Sequence, residues 1–285
     1  MADLDDVFEG QQPEETKAEN KSMTKEEWQA KREQARTDAF ELLETATEKL
    51  TDPAALSALM DVISKFDRYS ISNSILIADQ RPTATRLADF NYWQSHQASI
   101  KKGEHAITIL EPREYAKTDG SKGVSYDPKK VFDISQTTAE VKTRQKREID
   151  PKKLIKALTK TSPVEMRIDN TLPEGTDARY SHDTKSISVR QGMTGDEIFR
   201  ALSQEITKAR AAVEGKTTDG FSVVAVAYVL CKRNDVPPPA LPEKNPFEGK
   251  EPKEIRAQLK GIREEANNMS SVINKALEPK SKDAR

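Results

Sequence analysis

The stretch ALSQEITKARAA, residues 201–212, spaces its polar side chains as a metal-dependent hydrolase helix would. Gln204 and Lys208 lie four apart, and Glu205 directly follows the first. Two histidines at that spacing share one helical face and hold zinc, and the glutamate between them polarises the bound water. Neither position here offers a zinc donor. A glutamine amide is a poor ligand, and a protonated lysine repels a divalent cation. The three histidines, His96, His105 and His182, form no spaced pair, and His182 lies in RYSHDTKSISV, which reads as a turn. The single Cys231 sits in an apolar run, so neither an internal disulfide nor a cysteine metal cluster can form. There is no P-loop, no dinucleotide fingerprint and no Gly-x-Ser-x-Gly.

The element carrying this stretch is well specified. Thr194 and Glu197 form a capping box, Gly215 suits a helix stop, and Ile198, Leu202, Ile206, Ala209 and Val213 make one apolar stripe. Gln204 and Lys208 fall opposite the stripe and Glu205 at its edge, positioned to pair with Lys208 or Arg210. A solvated helix face has the same pattern. Before it, a helix opens near Pro151 and strands are expected at 164–168 and 186–189. After it, FSVVAVAYVLC, 221–231, suits either a strand or a buried helix. From about Pro252 to Leu277 an amphipathic helix carries Ile255, Leu259, Ile262, Ala266 and Ile273, for packing or for docking a partner.

In the first half, Thr24 and Glu27 cap a helix to about Leu50, and Asp52-Pro53 opens another with Leu56, Leu59, Val62, Ile63 and Phe66 on one face. Ser70 or Ser72 caps a third, which stops near Pro82, and a fourth short helix holds Phe90, Tyr92, Trp93 and His96. HAITILEP and KVFDISQ read as antiparallel strands joined by a long, mobile connection containing Asp119-Gly120 and Gly123.

Across 285 residues, 46 basic side chains balance 47 acidic ones for a net charge of −1, so a nucleic-acid site has to be a local patch. The acidic start MADLDDVFEG is unlike a signal peptide, and no apolar run approaches the roughly 20 residues of a membrane span. A soluble, cytoplasmic protein is expected. The patch with the right mixture is 66–112. Tyr69, Tyr92 and Trp93 can stack on bases, and Arg68, Arg81, Arg86, Lys101 and Lys102 can meet phosphates, with Gly103 opening a backbone nest. Asn73 and Gln80 complete the candidate set. The same residues also suit packing: Trp93 with Phe90 and Tyr92 as core, Lys101-Lys102-Gly103 as a turn. From Val62 to Lys117 eight Lys/Arg face six Asp/Glu, a surplus of two.

The order YSISNSILIADQRPTA, then Trp93, IKKGEHAITILEP and VFDISQT, resembles the N-terminal domain of ArdC-type antirestriction proteins of plasmids and other mobile elements. The matching residues are Tyr69, Ser70, Asn73, Ile77, Gln80, Pro82, Trp93, Lys102, Gly103, Glu104, Pro112 and 131–137. The resemblance implies single-stranded DNA (ssDNA) binding. Which matching residues touch DNA does not follow from it, and Asn73, Gln80 and Asp133 equally suit a role in holding the fold. It also implies a zincin-like metallopeptidase domain, with Gln204 and Lys208 at the histidine positions, Val224 at the third ligand and only Glu205, the would-be base, retained. It favours the helical reading of 221–231.

The expected fold is α+β: a helical and β-hairpin ssDNA-binding-like domain, a degenerate zincin-like α+β domain and a C-terminal amphipathic helix. The divisions are 1–22, a disordered acidic tail; 23–137, the ArdC-like domain; 138–150, a charged linker; 151–240, the zincin-like domain; and 241–285, helix and tail. KTRQKR, 142–147, either extends a DNA path or is a solvated linker. The expected function is non-enzymatic ssDNA binding of an antirestriction or DNA-protection type, with no metal and no cofactor. The partners are ssDNA, a host-defence or mobile-element protein as a further one, and no membrane. The alternatives are a zinc metallopeptidase acting on a host protein and an interaction protein that blocks host defence.

Overall fold

The computed structural model describes residues 24–117, 119–140 and 149–278. The acidic tail 1–22 and the basic stretch 142–147 lie outside the described residues. The first helix, α1 (Lys25–Glu48), opens on the Thr24/Glu27 capping box, and α2 (Pro53–Lys65) on Asp52, whose carboxylate accepts the Ala55 N–H at 2.9 Å. Ser70 caps α3 (Ile71–Gln80), and Asp89 caps α4 (Phe90–Ser95). A short β1 (Leu87–Ala88), absent from the sequence expectation, pairs with β3 (Lys122–Asp133), which pairs in turn with β2 (Ile107–Ala116).

The β2–β3 ladder runs unbroken from Ile107↔Val131 to Ala116↔Lys122, so the expected long connection is itself strand. Tight turn chemistry closes it. Asp119 accepts the Ser121 N–H and hydroxyl at 2.9 and 2.7 Å, and Gly120 takes φ +78°. Tyr115 lies over Gly123, leaving no room there for a Cβ, which would sit 2.5 Å from the ring.

The second half starts with α5 (Pro151–Thr159). A three-stranded sheet follows in the order β4 (Glu165–Ile168), β6 (Ser186–Val189), β5 (Ala178–Ser181). β4 is parallel to β6 and β5 antiparallel to it. Three helices complete the chain: α6 (Gly195–Val213), α7 (Gly220–Arg233) and α8 (Pro252–Leu277). α6 opens on the Thr194/Glu197 box and ends in a Schellman motif, with Lys216 N–H on Ala211 O, Gly215 N–H on Ala212 O and Gly215 at φ +66°. Its apolar stripe ends at Ala209, because Val213 is 58% exposed.

The 221–231 run is helical. Asp219 caps it, and α2, α6 and α8 bury it on several sides, which accounts for its lack of a polar face. One hydrophobic cluster runs from Ala39 in α1 to Ile273 in α8 and takes in residues on both sides of 138–150. Polar ties reinforce it. Tyr228 and Lys232 of α7 both reach Asp61 of α2, at 2.8 and 2.9 Å, and Arg233 donates to the last-turn carbonyls Ile63 and Ser64 of α2. Burial together with the Asp61 hydrogen bond pushes the Tyr228 phenol up to about 12. A smaller cluster holds Trp93, Ala98 and Ile134. The whole is a mixed α/β fold.

Candidate functional site

The first-half candidates separate into two groups. One group is absorbed by the fold. β2 pairs with β3 along one edge, and α3 covers the other. Asn73 exchanges two hydrogen bonds with Leu110, its amide donating to the carbonyl at 2.9 Å and its oxygen accepting the N–H at 2.7 Å. Two turns further along α3, Gln80 does the same with Thr108, at 2.9 Å in both directions. These amides act as a substitute strand, satisfying backbone groups that the sheet leaves open. Asp133 accepts the Thr85, Arg86 and Ser135 N–H groups and the Ser135 hydroxyl. Burial raises its carboxyl pKa, but these hydrogen bonds outweigh it and hold the group below the ordinary aspartate value. Trp93 is 2% exposed and donates its indole N–H to Phe132 O at 3.0 Å. Arg81 reaches Glu104 and Ser135, and Lys101 donates to Ser135 O at 2.9 Å.

The other group is accessible. Arg68, Arg86 and Lys102 are exposed, and Tyr69 and Tyr92 are half-buried. Tyr69, Tyr92 and Asn73 line a shallow groove of about 350 Å³ between α3, β1, α4 and the β2–β3 ladder. Arg86 donates to the Tyr92 hydroxyl at 2.7 Å and stands over its ring, which also stacks on His96 and meets Trp93 edge-on. Burial raises the Tyr69 phenol, with Lys129 opposing. Sequence reasoning passed over Lys129, which lies in the groove and pairs with Glu111 at 2.8 Å and Asp89 at 3.4 Å. The signal was available in the strand alternation, which puts Lys129 opposite Ile109 on the face of Glu111. The groove lining carries Asp89 and Glu111 against Lys129, and among the cations outside ion pairs in the described residues only Arg86 is tied to it, through Tyr92.

The second-half candidates meet at a different place. Glu205, 7% exposed, accepts the Tyr180 N–H of β5 at 2.7 Å and the Lys208 ammonium at 2.6 Å. Gln204, Glu205 and Lys208 line a cleft with the 175–179 segment and Arg200, whereas Val224 of α7 is half-buried and not among its lining residues. His182 is in the β5–β6 turn against Tyr180, ring centroids 4.9 Å apart. This donor set does not fit a divalent metal ion. A cation already neutralises Glu205, and neither Gln204, Lys208 nor Val224 supplies an imidazole, thiolate or carboxylate. Among the described residues no three His, Cys, Asp or Glu side chains gather as a metal site. Nor is any described helix long and apolar enough to cross a membrane.

Residues 33–158 match the N-terminal domain of anti-restriction factor ArdC. No curated protein matches the chain. Among solved structures, the metal-free antirestriction ArdC protein of plasmid R388 is similar, with a TM-score of 0.56 at 12% identity over 82% of this chain and 97% of that one. Its Mn(II)-bound form has a TM-score of 0.54 at 14% identity and the same coverage. At such identities the likeness is one of fold, and it extends past the matched segment into the second half. The clamp of α3 on β2 and the groove both lie inside 33–158, and that segment is of the ArdC N-terminal type.

Proposed function

We propose that this chain is a non-enzymatic, ssDNA-binding protein of a mobile genetic element, of the antirestriction or DNA-protection type. The observation that carries the reading is that the segment matching the ArdC N-terminal domain contains the whole groove together with the exposed cations Arg68, Arg86 and Lys102. A single strand entering the groove meets Tyr69 as a stacking surface and Arg86, held over Tyr92, as a phosphate partner, with Arg68 and Lys102 as further exposed cations of the same segment. Asn73 and Gln80 hold α3 on β2, while Asp133 and Trp93 tie the 85–86 backbone and α4 to β3. Affinity then falls steeply with salt, because bound cations release counterions. Fluorescence anisotropy with a labelled oligonucleotide at two salt concentrations tests this. Arg86→Ala is expected to weaken binding and flatten the salt slope by about 0.7, and absence of binding at low salt overturns the reading.

The non-enzymatic part rests on the donor chemistry at Gln204, Lys208 and Val224. One observation favours the second reading, a metallopeptidase: the similar R388 protein has been crystallised with Mn(II). Metal analysis of the purified protein decides between them, since stoichiometric zinc or manganese would establish a site that these side chains do not suit.

A further inference from the structure

The cleft beside α6 carries a charge pattern of its own. Arg200, Gln204 and Lys208 follow one another at intervals of four and so share one face of the helix. Across from them the 175–179 segment forms the opposite wall, and together they enclose about 400 Å³. That wall is held in place from behind. The Arg190 guanidinium donates to the carbonyls of Leu172, Pro173 and Thr176 at 2.7, 2.6 and 3.1 Å, and its N–H donates to Asp177 O at 2.8 Å. The cleft is therefore a shaped recess between a helix and a pinned loop.

Its polar groups are unevenly committed. Both oxygens of Glu205 are engaged, one by a backbone N–H and the other by Lys208. Lys208 keeps two further N–H donors, and its side chain is 44% exposed. Arg200 makes one long contact, 3.4 Å to Pro237 O, and Arg179 is exposed. Among the described residues the only ion pair at the cleft is Lys208–Glu205. With that pair internal, two guanidinium groups face one carboxylate, Asp177. Fork-shaped donors, a lysine and a glutamine amide around a recess suit a group with several acceptor oxygens and more than one negative charge.

We propose that the α6 cleft binds a phosphate group, held by Arg200, Lys208 and Gln204 against the Arg179 wall. The phosphate is that of a free phosphorylated small molecule or of a nucleic-acid backbone. This inference does not rest on the groove in the first half, and its test is separate.

Isothermal titration of the full chain with inorganic phosphate, against chloride at equal ionic strength, reads the site directly. Arg200→Gln is expected to weaken binding roughly tenfold, the loss of one charge-assisted hydrogen bond. Asp177→Asn is expected to tighten it several-fold, roughly the effect of removing a like charge near the ligand. Both residues lie at the surface, and circular dichroism verifies that each variant is folded. The opposite signs make the pair informative even if one variant folds poorly. Phosphate affinity no greater than that for chloride, or identical in both variants, overturns the proposal, as does stoichiometric Mn(II) in the same cleft. If an unlabelled oligonucleotide displaces phosphate, the source is a nucleic-acid backbone. If it does not, the source is a small phosphorylated molecule. Loss of ssDNA binding with phosphate binding intact would sink the proposed function and leave this site standing.

Discussion

Two helices in this molecule, α3 and α6, present polar side chains to the edge of a sheet, and they use them in opposite ways. On α3, Asn73 and Gln80 each exchange a donor and an acceptor with β2, so both amides are consumed by backbone groups. On α6, only Glu205 reaches a strand, through the Tyr180 N–H of β5, and its neighbours Arg200, Gln204 and Lys208 line an open cleft. A cluster of amides and charges in a sequence therefore has no function by composition alone. What decides is whether a strand edge lies opposite with unmet hydrogen bonds. Where one does, the side chains become scaffold, and where it does not, they remain available to a ligand.

The contrast can be broken by substitution. Its largest expected effect is at Asn73→Ala, which leaves both the N–H and the C=O of buried Leu110 without partners, a loss of about 3 kcal/mol. Urea denaturation checks it, and a shift in midpoint worth less than about 1 kcal/mol would mean that water replaces the clamp. Next comes the acid limb of the first half. Asp133 has a folded pKa below its unfolded value, so its contribution is present above about pH 4 and is lost as the pH falls through the folded value. Stability measured against pH should fall on acidification in the parent, and Asp133→Asn should flatten that fall. The smallest effect sharpens the comparison most. Gln204→Ala is the same change as Gln80→Ala, yet it should cost no more than about 0.5 kcal/mol against about 2 kcal/mol for Gln80. Equal costs in parallel denaturation curves would remove the distinction between scaffold and cleft.

Local chemistry was legible in the sequence wherever a few adjacent residues decide the outcome. The boxes at Thr24/Glu27 and Thr194/Glu197, the Asp52-Pro53 start and the Gly215 stop all stand where their residue types require. The stripe of α8 is buried along its length, at Ile255, Leu259, Ile262, Ala266 and Ile273. What was hidden depends on partners far along the chain. Asn73 and Leu110 are 37 residues apart, so the roles of clamp and DNA contact look identical in one dimension. β5 went unseen because its four residues, ARYS, are too short a run for their alternation to stand out, and their strand character comes from pairing with β6. The outer half of the hairpin was mistaken for a loop because its glycines and charges mask the strand-forming Tyr115, Val124 and Tyr126.

The ties between α2 and α7 have a consequence for descent. Remove the second half and α2 loses the cover on its apolar face, while Asp61 loses Tyr228 and Lys232 and the Ile63 and Ser64 carbonyls lose Arg233. Selection on the first half thus reaches into the second regardless of what α6 catalyses or binds. A chain shortened to the matched segment 33–158 would leave that face of α2 and its last-turn carbonyls in water, so loss of the second half is expected to destabilise the first.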